Sequence, residues 1–180
     1  MTAGGGGLDA FVATVRAASR VAGGFAAALI AIGVLVVCEM VFVRYVLNQN
    51  TIWQTDFVTY SLIAATFIGS PYVLMTRGHV NVDVLPHYAS PRARFWLAVF
   101  ASLVTFAFAL TLTILTFLFW KEAWDQKWVS DSMWRARLWI PYSSMPIGLG
   151  LLVLECIAGF IGLVRGGEAP FGMSQPELME

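Results

Sequence analysis

WQTDFVTYSLIAATFIGSPYVLMTRGHVNVD, residues 53–83, decides the fold. Its middle, residues 57–76, carries no formal charge. As a helix rising about 1.5 Å per residue, that run measures about 30 Å, the thickness of a bilayer core. A polar signature stands at each end: Trp53-Gln54-Thr55-Asp56 before it and Arg77-Gly78-His79-Val80-Asn81-Val82-Asp83 after it. Pro71 inside the run predicts a kink, and Gly78 is placed as a stop.

The rest of the chain agrees with a membrane span. Of 180 residues, 58% are hydrophobic and 12% charged, and mean hydropathy is +0.73. Soluble domains carry about 25% charged residues, so this chain lacks the polar surface to stay in water. Net charge is zero, and no basic patch with interleaved aromatics points to nucleic acid. The two cysteines, Cys38 and Cys156, lie inside apolar runs and form no CxxC motif.

Read in order, the pattern predicts an all-α membrane protein, one membrane domain over residues 1–180. Four spans are expected, near residues 21–47, 57–76, 91–120 and 138–164. Residues 1–7, glycine-rich, and residues 166–180 read as flexible tails. Leu8, Phe11, Val12 and Val15 follow amphipathic spacing, with Arg16 and Arg20 on the polar side. They read either as a short helix on the membrane surface or as the polar lead-in to the first span. A signal peptide is the rival for that span, but the run is longer than an h-region and ends in Arg44-Tyr45. Gly23, Ala27 and Ala31, at four-residue spacing, predict a close-packing seam. The short turn at 48–51 makes spans one and two an antiparallel hairpin. Ser90-Pro91 reads as the cap and first turn of span three. Pro141 suits the first turn of span four, while Pro146, Gly148 and Gly150 predict a bend or an irregular start.

Residues 120–139, WKEAWDQKWVSDSMWRARLW, hold five of the chain's seven tryptophans. Trp120, Trp124 and Trp128 at i, i+4 and i+8 predict one aromatic helical face in an interfacial segment. That face suits lipid headgroups or a partner protein.

Four spans put both termini on one side. That side also holds Arg16, Arg20, Arg77, Arg92, Arg94 and Arg165, against Arg44, Lys121, Lys127, Arg135 and Arg137 on the other. The count is nearly even. The first span usually dominates orientation, and Arg16 and Arg20 flank its start, so both termini are assigned to the cytoplasm.

Charges inside spans are functional candidates by default. Glu39 falls in the outer half of span one and Glu155 in the inner half of span four, at different depths, so they form no carboxylate dyad. Each reads as a proton or cation site, or as a hydrogen-bonded packing residue. The cysteines lie in opposite halves too, farther apart than a disulfide reaches. Arg44 and Asp56 flank the same turn and are expected to pair across the hairpin. His79 and His87 lie in a loop, not within facing spans, which disfavours a haem, and a zinc site would lack thiolates. No catalytic constellation is visible, so no enzyme, cofactor or metal is expected.

Arg44-Tyr45, then Trp53 to Asp56, then a helix with Gly69, then Gly78-His79-Val80-Asn81-Val82-Asp83, resembles the small membrane subunit of tripartite ATP-independent periplasmic (TRAP) transporters, the DctQ-like family. Ile140-Pro141 and Pro146-Ile147-Gly148 are similar as well. The likeness covers roughly residues 20–165, and Asp56 stands where the family more often has Glu. It implies an accessory permease subunit of a sodium-driven, binding-protein-dependent importer of an organic anion, commonly a carboxylate, in a bacterial inner membrane. Sodium and substrate would sit on a large membrane subunit, which this chain would brace. A soluble periplasmic protein would deliver the substrate.

Structural or partner-contact candidates are Arg44, Trp53, Asp56, Gly69, Gly78, His79, Asp83, Trp120, Trp124 and Trp128. Docking-surface candidates are Lys121, Glu122, Asp125, Lys127, Asp131, Arg135 and Arg137, chosen for their density beside the tryptophans. The competing reading, from a different class, is an autonomous channel or proton carrier using Glu39 or Glu155. A haem-bearing redox subunit is the third.

Overall fold

The computed structural model describes residues 5–76 and 91–164. They fold as α1 (Gly5–Tyr45), α2 (Gln54–Met75), α3 (Pro91–Asp125), the short α4 (Trp139–Tyr142) and α5 (Ser144–Val164). Among the described residues there is no strand, only an isolated antiparallel bridge between Val129 and Arg137. Four stretches are long and apolar enough to cross a membrane: Gly7–Tyr45, Gln54–Met75, Trp96–Asp125 and Trp139–Leu163. The chain is an all-α membrane protein.

The side-chain distribution is that of a protein whose solvent is lipid. Small residues fill the contacts: Ala22, Ala26, Ala65, Ala109, Ala123 and Ala158 are buried, while Phe25, Leu35, Phe108 and Leu118 point outward. With no hydrophobic drive between helices in lipid, close packing of small residues holds them together. α2 packs against α1 and α5, α3 packs on α5, and α1 also reaches α5.

The register of the α1–α2 hairpin follows from its contacts. Gly23 faces Tyr72, Gly69 faces Ala26, Gln54 bonds Glu39 and Thr55 reaches the Met40 sulfur. A Cβ on Gly23 would lie 2.8 Å from the Tyr72 Cβ, so only glycine admits that ring. The buried line on α1 is Val15, Ser19, Ala22 and Ala26. The expected seam of Gly23, Ala27 and Ala31 is not the one used, since Ala27 and Ala31 are exposed. Steps of four drift about 40° each around a 3.6-residue turn, and by the third residue the stripe has left the interface.

At its start α1 takes the second of the two readings, the lead-in to the first span. Residues 5–20 form no separate surface helix; they continue unbroken into the span, and 5–7, expected as flexible tail, are helical. At 41 residues α1 is about 60 Å long, twice a bilayer core. Nothing between Leu8 and Ala31 forces a break, because alanines dominate and Gly23, of the one glycine pair, is held against Tyr72. α1 ends at Tyr45, and the turn after it passes through Asn48, whose φ of 50° lies in the left-handed region that asparagine tolerates.

Pro71 acts through the carbonyl it deprives. Pro71 is fully buried, and α2 runs on through it to Met75. Its missing N–H would have served the Phe67 carbonyl, which instead accepts from the Ser70 hydroxyl at 2.9 Å. At Pro146 the span has the irregular start its sequence predicts, broken at Ser143 between α4 and α5. There the Ser143 and Ser144 hydroxyls serve the carbonyls of Ile140 and Pro141 at 2.7 and 2.6 Å. Cys38 is exposed and Cys156 half-buried, and both are free thiols.

Candidate partner-binding surface

A cluster of polar groups lies where α1 turns into α2 and α3 turns into α4. α3 ends in a Schellman reversal: Lys127, at φ 52°, lets Trp128 N reach Ala123 O at 3.1 Å and Lys127 N reach Trp124 O at 3.2 Å. The chain then folds back on itself, with Ser130 N donating to Ala136 O at 2.8 Å and Leu138 N to Trp128 O at 3.0 Å. A second left-handed residue, Arg135 at φ 49°, turns the tip.

This reversal corrects the expected tryptophan stripe. Trp120 and Trp124 share a face of α3, with ring centroids 5.8 Å apart, but the helix ends at Asp125 and Trp128 leaves it. Trp128 packs edge-on to Phe119 at 5.6 Å. Its place beside Trp124 is taken by Trp139, at 4.5 Å, and the Trp120 indole N–H donates to Trp139 O at 3.1 Å. A run at i, i+4 and i+8 marks a face only while the helix lasts.

The expected Arg44–Asp56 pair is not formed. Arg44 Nε donates to Thr51 Oγ1 at 2.8 Å, within its own turn. Asp56 accepts from the Ser130 hydroxyl at 3.2 Å and from that of Ser132. Both serines come from the 128–138 loop, so Asp56 ties that loop to the first turn of α2. A carboxylate there also faces the positive end of the helix dipole. Trp53 stands just before α2, edge-on to Phe57 at 5.8 Å.

Glu39 and Glu155 lie at opposite ends of α2, as their depths in the sequence imply. Glu39, exposed on α1, accepts from Gln54 Nε2 at 3.3 Å, at the first residue of α2. Glu155 is 4% exposed and accepts from the wholly buried Ser19 hydroxyl at 2.7 Å, near the other end of the bundle. Along the axis they are separated by most of the length of α2, about 30 Å. A crevice of about 210 Å³ between α3 and α5 is lined by Ser102, Leu103, Phe106, Cys156, Ile157 and Phe160, an apolar wall without a charge.

All seven docking-surface candidates, Lys121, Glu122, Asp125, Lys127, Asp131, Arg135 and Arg137, are exposed at the same end. Gly69 serves inside the chain, where an added Cβ would stand 3.1 Å from that of Ala26. Gly78, His79 and Asp83 lie outside the described residues. Sequence reasoning missed Ser130, Ser132, Met133 and Trp134. The serines carry no periodic signal, and their role appears only once the loop folds back onto α2.

Comparison with known proteins matches the chain to a family described as the DctQ component of tripartite ATP-independent periplasmic transporters, over residues 33–166 of 180. The C4-dicarboxylate TRAP transporter small permease protein DctQ of Vibrio cholerae serotype O1 is 26% identical over 136 residues. That alignment covers 64% of this chain and 59% of the relative, so the chain matches about three-fifths of that protein's length. No solved structure matches.

Proposed function

The chain belongs to the DctQ component family of tripartite ATP-independent periplasmic transporters, and from that premise we propose that it is a non-catalytic brace within such a transporter. It holds a large membrane subunit in the bilayer and contributes the surface on which a soluble periplasmic protein docks. The transported solute is an organic anion, by our reading a carboxylate, moved at the expense of a sodium gradient. Sodium and solute sit on the large subunit. Both termini face the cytoplasm, so the 126–138 loop faces the periplasm.

One observation carries this reading. The helices meet through alanines and glycines, and their outer faces are apolar. Two carboxylates within the spans are engaged in helix-to-helix bonds, Glu155 to Ser19 and Glu39 to Gln54. Such a chain has little with which to coordinate an anion but much with which to pack against another membrane protein.

Extraction in mild detergent with an affinity tag on this chain tests the proposal. A much larger multi-span protein is expected to co-purify in fixed ratio. Should the chain elute alone and catalyse solute flux after reconstitution by itself, the proposal is wrong. If that flux were lost in Glu39→Gln or Glu155→Gln, the channel reading would replace it.

A further inference from the structure

The loop joining α3 to α4 presents its apolar side chains away from the helices. Met133 is 87% exposed, the most exposed large hydrophobic residue among those described, and Trp134 beside it is 41% exposed. The backbone under them is not loose. Arg135 N donates to Ser132 O at 3.0 Å, the bridge of Val129 and Arg137 closes the loop behind them, and Ser130 and Ser132 anchor it on Asp56. Over residues 127–137 the charges are Lys127, Arg135 and Arg137 against Asp131, a net of +2.

Where the tip sits limits what can cover it. Asp56 precedes the apolar run of α2, so a tip fastened to it stands beyond the hydrocarbon core. The aromatic belt is elsewhere, at Trp120, Trp124 and Trp139 on the α3–α4 side. A methionine and a tryptophan exposed beyond the core on a hydrogen-bonded loop, with arginines alongside, match the make-up of protein-binding hot spots. In these, aromatic and arginine anchors contribute most when no ordering cost remains.

We propose that Met133, Trp134 and Arg135, with Arg137 behind them, form the principal anchor for the soluble binding protein, which offers an apolar pocket with an acidic rim. This rests on the docking role proposed above and names its site. Basic side chains at the rim speed encounter with an acidic partner, and the apolar pair holds the complex once formed.

The test uses the complete transporter in lipid nanodiscs and the purified soluble binding protein of the same system. Met133→Ala with Trp134→Ala is expected to raise Kd by roughly 30-fold. Arg135→Glu with Arg137→Glu weakens binding most at low salt, and the effect shrinks as salt rises. Wild-type affinity in the Met133/Trp134 double variant overturns the anchor while leaving the bracing role intact. Failure of the wild-type complex to bind the soluble protein refutes the docking role itself. A fluorophore on Met133→Cys, with Cys38 and Cys156 replaced by alanine, gives an independent readout should the double variant fail to assemble. Shielding of that label by the binding protein supports the anchor. Quenching by nitroxide lipid headgroups, unchanged when the protein is added, assigns the tip to the membrane surface and overturns it.

Discussion

Gly148 of α5 lies against the peptide of Phe67 in α2, where a Cβ at 148 would overlap the Phe67 carbonyl and stand 2.8 Å from Ile68 N. The same carbonyl is the one Pro71 leaves without its helical donor. Proline on one helix and glycine on its neighbour therefore mark one close approach, and it joins the two central helices.

Gly148→Ala should destabilise the bundle by about 1–3 kcal/mol, because the obstacle is backbone and cannot rotate away. Gly150→Ala, with nothing within 4 Å of the new methyl, should be neutral or slightly stabilising. Thermal unfolding of the two variants in the same detergent checks this; equal melting temperatures would remove the close approach as an explanation.

The loop's attachment predicts a local effect. Ser130→Ala with Ser132→Ala, or Asp56→Ala, should speed hydrogen exchange and proteolysis across residues 126–138 while the spans stay protected. A hydrogen bond to a charged group contributes about 1.5–3 kcal/mol, enough to open the loop tens of times more often. Unchanged exchange there would show that the hairpin holds itself.

Ser19 and Glu155 form a coupled pair. Ser19→Ala leaves a carboxyl that is 4% exposed short of a donor, at a cost of about 1–3 kcal/mol. Removing both polar groups, as Ser19→Ala with Glu155→Leu, should recover part of that loss, since an apolar replacement leaves nothing buried unpaired. Denaturation of the two single variants and the double in one detergent gives the coupling energy, and additive effects would argue that the two side chains act separately.

Orientation is open to labelling in intact cells. With Cys38 and Cys156 replaced by alanine, cysteines introduced as Thr2→Cys and Ser174→Cys should resist a membrane-impermeant maleimide until the inner membrane is permeabilised. Met133→Cys should react from outside that membrane. One terminus reacting with the loop would reverse the parity that four spans require.

Much of the fold is legible in the chain because a bilayer asks a coarse question. Runs of about 20 uncharged residues span it whatever their order, and the pattern around residues 57–76 and 95–120 answers at once. The expectations that failed depended on direction around a helix or on where a helix stops. The Ala27 and Ala31 stripe rotated out of its interface, and the tryptophan run outlasted α3 by one turn. The start of α1 follows the lead-in reading rather than the surface-helix one, because a helix ignores polarity while its backbone bonds continue.

Sequence alone settled that this molecule lives in lipid, since 12% charged residues cannot hydrate a surface of this size, and its motifs pointed to the family. Only the tertiary structure decided partners. Asp56 belongs to Ser130 and Ser132 rather than to Arg44, Trp124 to Trp139 rather than to Trp128, and Glu155 to Ser19 across 136 positions of chain. Span formation depends on local composition summed over a stretch. A hydrogen bond depends on two side chains reaching one point, which is set by helix register, rotation and the reversal at Lys127, none of them readable from residues next to one another.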